Sequence, residues 1–146
     1  PMADIAEARR LQMDLYHRFA AVFDDYHLVI CPGVGISPFP WRDLFPRQVD
    51  GHPIANYMAW LALTASITVV GHPVVALPCG LDDQHTPFGI QLIGPAYGDR
   101  HLLEQARALE EALASDPVAA RPVPDFDALA TTESTVRTEG RTVQNR

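Results

Sequence analysis

The residues able to do covalent or acid–base chemistry are few and scattered. Cys79 ends the apolar run Leu77-Pro78-Cys79-Gly80, with His72 and Asp82 close by in sequence, so a thiolate activated by an imidazole is the first chemistry the spacing suggests. The competing reading, a small residue packed in a strand, is the stronger one, because free cysteine is among the most buried residue types. Six histidines, at 17, 27, 52, 72, 85 and 101, invite a metal, but none stands in a His-x-Glu, His-x-x-x-His or Cys-x-x-Cys unit. No metal and no cofactor is therefore expected. The acid pairs Asp24-Asp25, Asp82-Asp83 and Glu110-Glu111 occupy adjacent positions, which diverge on a helix and face opposite ways on a strand. They read as turn and surface groups. Ser37, Ser66, Ser115 and Ser134 are the only serines, and none lies in Gly-x-Ser-x-Gly or beside a glycine-rich oxyanion loop. A secondary-amine base at Pro1 would need that residue to open a core strand, whereas a helical pattern follows at once. Pro1 reads as a cloning or processing remnant. No self-contained active site is visible.

The basic side chains sharpen that conclusion. All 11 are arginine, from Arg9 to Arg146, and the 146 residues contain no lysine. Within these residues that excludes a Schiff base, a phosphate-loop lysine and a lysine general base. A net charge of -7 and a pI near 5.2 argue against a nucleic-acid partner, whose phosphates call for clustered Lys and Arg. With no run of 18 apolar residues and no charged leader before a short apolar stretch, neither a membrane span nor a signal peptide is read, and the expected location is cytoplasmic. Two cysteines are too few for a secreted disulfide scaffold, so both are expected as thiols.

The elements that must position these residues follow from periodicity. Ile5, Ala8, Leu11, Leu15, Phe19, Val22 and Phe23 form one stripe of a helix over residues 4–23, with Asp4 and Glu7 as a capping box. Tyr26–Cys31 reads as a buried strand closed by Pro32-Gly33. Residues 32–53 hold five prolines and the aromatics Phe39, Trp41 and Phe45, which suits a structured binding or packing loop. Residues 54–66 are apolar on nearly every face, and as a helix they would need cover all round. Val74–Gly80 and Pro87–Pro95 read as two strands of a hairpin, and Asp99 as the N-cap of a final helix through Ala114 with the stripe Leu102, Leu103, Ala106, Leu109 and Leu113. From Ser115 the composition turns polar, with little but Phe126 and Leu129 to pack. Three strands and three helices then leave the sheet short of cover.

Taken in order, the blocks VFDDYHLVICPG, VVGHPVVALPCGL and TPFGIQLIGPAYGDRHLLEQARALEEAL resemble the C-terminal third of amidase-signature enzymes over residues 4–115. The matching units are Cys31-Pro32, Gly71-His72-Pro73, Pro78-Cys79-Gly80 and Gly89-Ile90-Gln91-Leu92-Ile93-Gly94. The resemblance implies amide hydrolysis by a serine nucleophile, assisted by a cis-peptide serine and a lysine base, on a large mixed α/β/α sheet. That triad lies in the upstream part of such enzymes, and no residue here matches it. Many members carry Asn-x-Thr-Gly before the proline turn, where this chain has Thr68-Val69-Val70-Gly71. Members that use glutamine carry an aspartate at the position matching Leu61, so a glutamine substrate is disfavoured.

The expectations are an α/β fold, a fragment of the amidase-signature sheet with about three strands and three helices. Residues 1–115 form the amidase-like part and 116–146 a disordered or partner-bound tail. Substrate contacts fall on Phe39, Trp41, Trp60 and Leu61, giving an apolar or aromatic pocket, while plain core packing is an equal reading of those four. The chain would be a small subunit or truncated product of an amide hydrolase, completed by a catalytic N-terminal amidase portion that acts on a small amide. The alternative is a non-catalytic remnant working as a homo-oligomeric binding module.

Overall fold

The computed structural model describes residues 1–128. Helix α1 spans Met2–Ala20 and tightens into a 3₁₀ turn at Ala21–Asp24; β1 is Val29–Pro32, β2 Gln48–Val49 and β3 His52–Pro53. Helix α2 is Ala62–Val70, β4 Val74–Leu81, β5 Pro87–Ile93 and α3 Asp99–Ala114. The architecture is the expected α/β one. Strands β1, β5 and β4 make an antiparallel sheet in that order, and β2 pairs with β3 in a separate two-stranded ribbon.

The core lies between the sheet and α3. Directly opposed residues of antiparallel strands share a face, so Ile30, Leu92 and Val75 stand together, with Ile90 and Leu77 one pleat along. Against this face pack Leu102, Ala106 and Leu109 of α3, and Leu92 and Leu102 are fully buried. Each buried leucine contributes about 1.5–3 kcal/mol. Gly94 lets the helix come this close, because a Cβ there would lie 3.2 Å from the Leu102 side chain. Leu103 turns outward at 60% exposure, so the α3 stripe is narrower than its sequence implies.

Helix α1 is held differently. Despite its apolar stripe it has no buried residue, and Ile5, Leu11 and Leu15 are exposed. It packs on α2, where Gln12 Nε2 donates to the Val69 carbonyl at 3.0 Å. It also closes over His72, in the turn between α2 and β4. That imidazole is 7% exposed, its Nδ1 lies 3.0 Å from the Gly94 carbonyl oxygen, and the Phe23 ring stacks on it at 5.1 Å. Phe19 meets it edge-on at 5.1 Å and Tyr16 tilts against it at 5.5 Å.

Several boundaries differ from those the sequence suggests. The helix starts at Met2 with Pro1 as its N-cap; Glu7 pairs with Arg10 and closes no capping box. The strand expected at Tyr26–Cys31 begins only at Val29 and alternates half-buried with exposed residues, because it is a sheet edge. The helix expected over 54–66 begins at Ala62 and runs to Val70, ending on Gly71 with φ 70°. Upstream, the Asn56 side-chain oxygen accepts the Met58 N–H, a local bond that competes with helix formation. Gly98 takes the N-cap place expected of Asp99, which falls in the first turn and favours the positive end of the helix dipole.

After α3 the chain turns back over the end of β4. Asp116 Oδ1 accepts the Val118 N–H at 2.8 Å, and the Val118 carbonyl lies over Gly80 (φ 68°), at a register shift between Pro78 and Leu81. Residues 129–146 of the expected tail, with Leu129 and Ser134, lie outside the described residues. Among the described residues no helix is long and apolar enough to cross a membrane.

Candidate functional site

Three irregular segments converge at one end of the sheet: the chain leaving β1, the turns before α2, and the tip of the β4–β5 hairpin. Between them lies an open cavity of about 510 Å³, lined by Pro32, Val34, Gly35, Ile36, Ser37, Pro38 and Phe39, by Trp60, and by Asp82, Pro87, Phe88 and Gly89. Its size lies within the usual range for small-ligand sites, and its lining is mostly apolar. The aromatic wall is built in series. Phe39 meets Trp60 edge to face at 5.6 Å, Tyr57 meets Trp60 at 6.0 Å, and Phe45 meets Tyr57 at 6.5 Å. The Trp60 Nε1 is buried with no hydrogen-bond partner among the described residues.

Of the four residues expected to touch substrate, Phe39 and Trp60 are brought together in this wall. Trp41 is 86% exposed, with the Arg42 guanidinium 5.2 Å from its ring, and it is not part of the lining. Leu61 is half-buried at the N-cap of α2, beside Trp60 but also outside the lining. Val34, Ile36, Phe88 and Asp82 line the cavity with no sequence pattern to mark them for it. Only the hairpin brings the last two there.

Asp82 is the charged member of the wall. Its carboxylate accepts the Thr86 hydroxyl at 2.6 Å and the Thr86 and Gln84 N–H groups at 2.9 Å each. The Thr86 side chain first, then its backbone N–H, with Ser37 and Gln84 adding to them, lowers the Asp82 pKa to about 2. A carboxylate so weakly basic does not deprotonate the Ser37 hydroxyl at neutral pH. Asp82 therefore closes the turn, with His85 at φ 58° beside it, while Asp83 is exposed. A folded-state pKa below the unfolded one means that the carboxylate's contribution is complete above the ordinary Asp value near 4 and is lost as pH falls toward 2. Thermal melts at stepped pH should show wild type losing stability relative to Asp82→Asn across that window, with their difference constant from pH 5 to 7.

The cysteine chemistry does not assemble. Cys79 is half-buried in β4, and among the described residues no hydrogen bond joins it to an imidazole, since His72 is committed to Gly94 and the three rings of α1 and its 3₁₀ turn. Burial pushes the Cys31 thiol up, away from the reactive thiolate. Among the described residues no group of three or more His, Cys, Asp or Glu side chains is placed to hold a metal ion. The site can bind and orient an apolar group. Among the described residues, those that line it include no activated nucleophile.

Comparison with known proteins agrees on the lineage. The chain is 31% identical over 104 residues to a glutamyl-tRNA(Gln) amidotransferase subunit of Clostridium acetobutylicum, covering 71% of this chain and 20% of that protein. It is 37% identical over 93 residues to the corresponding subunit of Syntrophomonas wolfei, covering 64% of this chain and 18% of the relative. Among solved structures, 6-aminohexanoate cyclic dimer hydrolase superposes with a TM-score of 0.58 at 30% identity, over 83% of this chain and 25% of the hydrolase. A vestigial protein complex tied to the origins of an s-triazine catabolic enzyme gives a TM-score of 0.69 at 24% identity, over 84% of this chain and 26% of its own, a likeness of fold. The chain thus spans about a fifth of the curated relatives' length and about a quarter of the solved ones. The amidase family profile matches residues 3–103, and the chain belongs to the amidase family.

Proposed function

We propose that these residues are the C-terminal portion of an amidase-signature amide hydrolase, residues 1–115 forming the amidase-like part. They supply the β1-β5-β4 sheet and one apolar wall of the substrate pocket, while serine, cis-serine and lysine come from residues outside these 146. One observation carries the reading: the family match coincides with a pocket wall that has aromatic binding groups, no lysine and no base stronger than Asp82. Phe39 and Trp60 take the acyl group of a small amide, with Leu61 next to Trp60 at the start of α2. Leu61, where glutamine-using members carry an acid, favours an amide without a charged amine.

The test is reconstitution. The purified chain should not turn over benzamide or acetamide, and a polypeptide carrying the serine- and lysine-bearing part of an amidase should restore hydrolysis when added. In the assembled enzyme, Trp60→Ala should raise KM for benzamide about tenfold with a smaller change for acetamide, as loss of one aromatic contact implies. Turnover by the chain alone, abolished in Cys79→Ala, would sink this reading in favour of a cysteine enzyme. A second reading rests on the sheet edges β1 and β4, unpaired among the described residues, which a homo-oligomeric binding module would use. Failure of every catalytic partner to restore turnover, together with a concentration-dependent oligomer in light scattering, would favour it.

A further inference from the structure

Gln91 is a polar side chain where the sheet needs none. It stands in the middle strand, 7% exposed, opposite Cys31 on β1 and Ala76 on β4. Burying an amide costs free energy unless it is hydrogen-bonded, so an aliphatic side chain would serve the packing better. Its bonds reach away from the core. Nε2 donates to the Pro32 carbonyl at 3.0 Å and to the Gly33 carbonyl at 3.3 Å, with Cys31 Sγ at 3.7 Å.

Those carbonyls lie where the β1 ladder stops, since the last paired residues are Pro32 and Ile90. Beyond them the backbone enters the pocket wall. A second bond grips the same point, the Gly33 N–H donating to the Gly89 carbonyl at 2.7 Å. A Cβ on Gly33 would stand 3.0 Å from that oxygen, so the crossing leaves no slack. Two donors, one from the buried Gln91 side chain and one from the loop itself, thus fix the start of the segment that ends at Phe39.

We propose that Gln91 is a positioning residue for the pocket, clamping the exit of β1 so that residues 33–39 hold their wall and Phe39 meets Trp60. The proposal rests on reading the pocket as the acyl site of an amide. Gln91→Met keeps the length and loses both donated bonds. Amide hydrogen exchange at Gly33, Val34 and Ile36 should then speed up at least tenfold, while Leu77 and Leu92 change less than threefold. In the assembled enzyme, benzamide followed by the chemical shifts of Phe39 and Trp60 should bind about tenfold more weakly, the scale of one hydrogen bond. Gln91→Leu, which also has no donor, should behave alike. A purely structural role would loosen all amides together and leave the loop no worse than the sheet. Uniform loosening, an unchanged loop, or unchanged benzamide affinity with a loosened loop would each overturn the clamp. If neither variant folds, wild-type exchange decides it: Gly33 should be protected to within tenfold of Leu92, and free exchange at Gly33 rejects the proposal. If benzamide binds neither wild type nor variant, the acyl-pocket reading fails, and this positioning role falls with it even if the exchange contrast is seen.

Discussion

Replacing His72 with alanine should release α1 from the sheet and lower the melting temperature by roughly 6–12 °C, on a scale of about 3 °C per kcal/mol for a domain of this size. The ring is buried among Tyr16, Phe19 and Phe23, and α1 itself buries no residue, so the imidazole is its main attachment besides α2. Deleting it removes several ring contacts, leaves a cavity, and strips the Gly94 carbonyl of its partner. The combined cost is about 2–4 kcal/mol, a large share of a typical domain stability of roughly 5–15 kcal/mol. Limited proteolysis between Asp24 and Leu28 should accelerate in step with the fall in melting temperature. His72→Phe refills the space without restoring the bond, and should recover more than half of the loss. An unchanged melt and cleavage rate in His72→Ala would show that α1 is held by α2 alone.

Gly80→Ala should be as damaging by another route. At φ 68° an L side chain is strained by about 1–2 kcal/mol, and here the added methyl would also overlap the Val118 carbonyl oxygen. Either β4 shifts at its bulge or the segment after α3 lifts away, and the total cost should reach about 2–4 kcal/mol. The two contributions separate in a chain ended after Ser115, where the substitution should cost only the backbone strain, roughly 1–2 kcal/mol. Equal losses by chemical denaturation in the long and short chains would mean that Val118 does not rest on Gly80 in solution.

Elements specified by local pattern are legible in the sequence. Helices α1 and α3, the apolar strands β4 and β5, and the Gly71-His72-Pro73 turn all stand about where periodicity and punctuation place them. The misreadings are equally local in origin. A nearly all-apolar stretch at 54–61 carries no period, and the Asn56 side chain accepts the Met58 N–H in place of a helical bond. Site residues are harder to read, because their roles depend on partners far away in sequence. Phe39 and Trp60 stand out as aromatics near a loop, but Trp41 shares that description and stands in solvent. Asp82 looks like half of a surface pair until Thr86 folds back on it. Gln91 is visible in the sequence only as a letter of a motif, and its partners Pro32 and Gly33 lie on another strand and the loop beyond it.

The strand order β1-β5-β4 also fixes a sequence of events in time. Val29 has its ladder partner at Ile93, about sixty residues later in the chain, whereas β4 and β5 are joined by a short hairpin. At roughly 5–20 residues per second of synthesis, β1 waits about 3–12 s for its partner β5 to be made. During that interval the exposed apolar residues of α1 and β1 stand open to chaperones or to any other strand edge, while the hairpin, once complete, closes in microseconds.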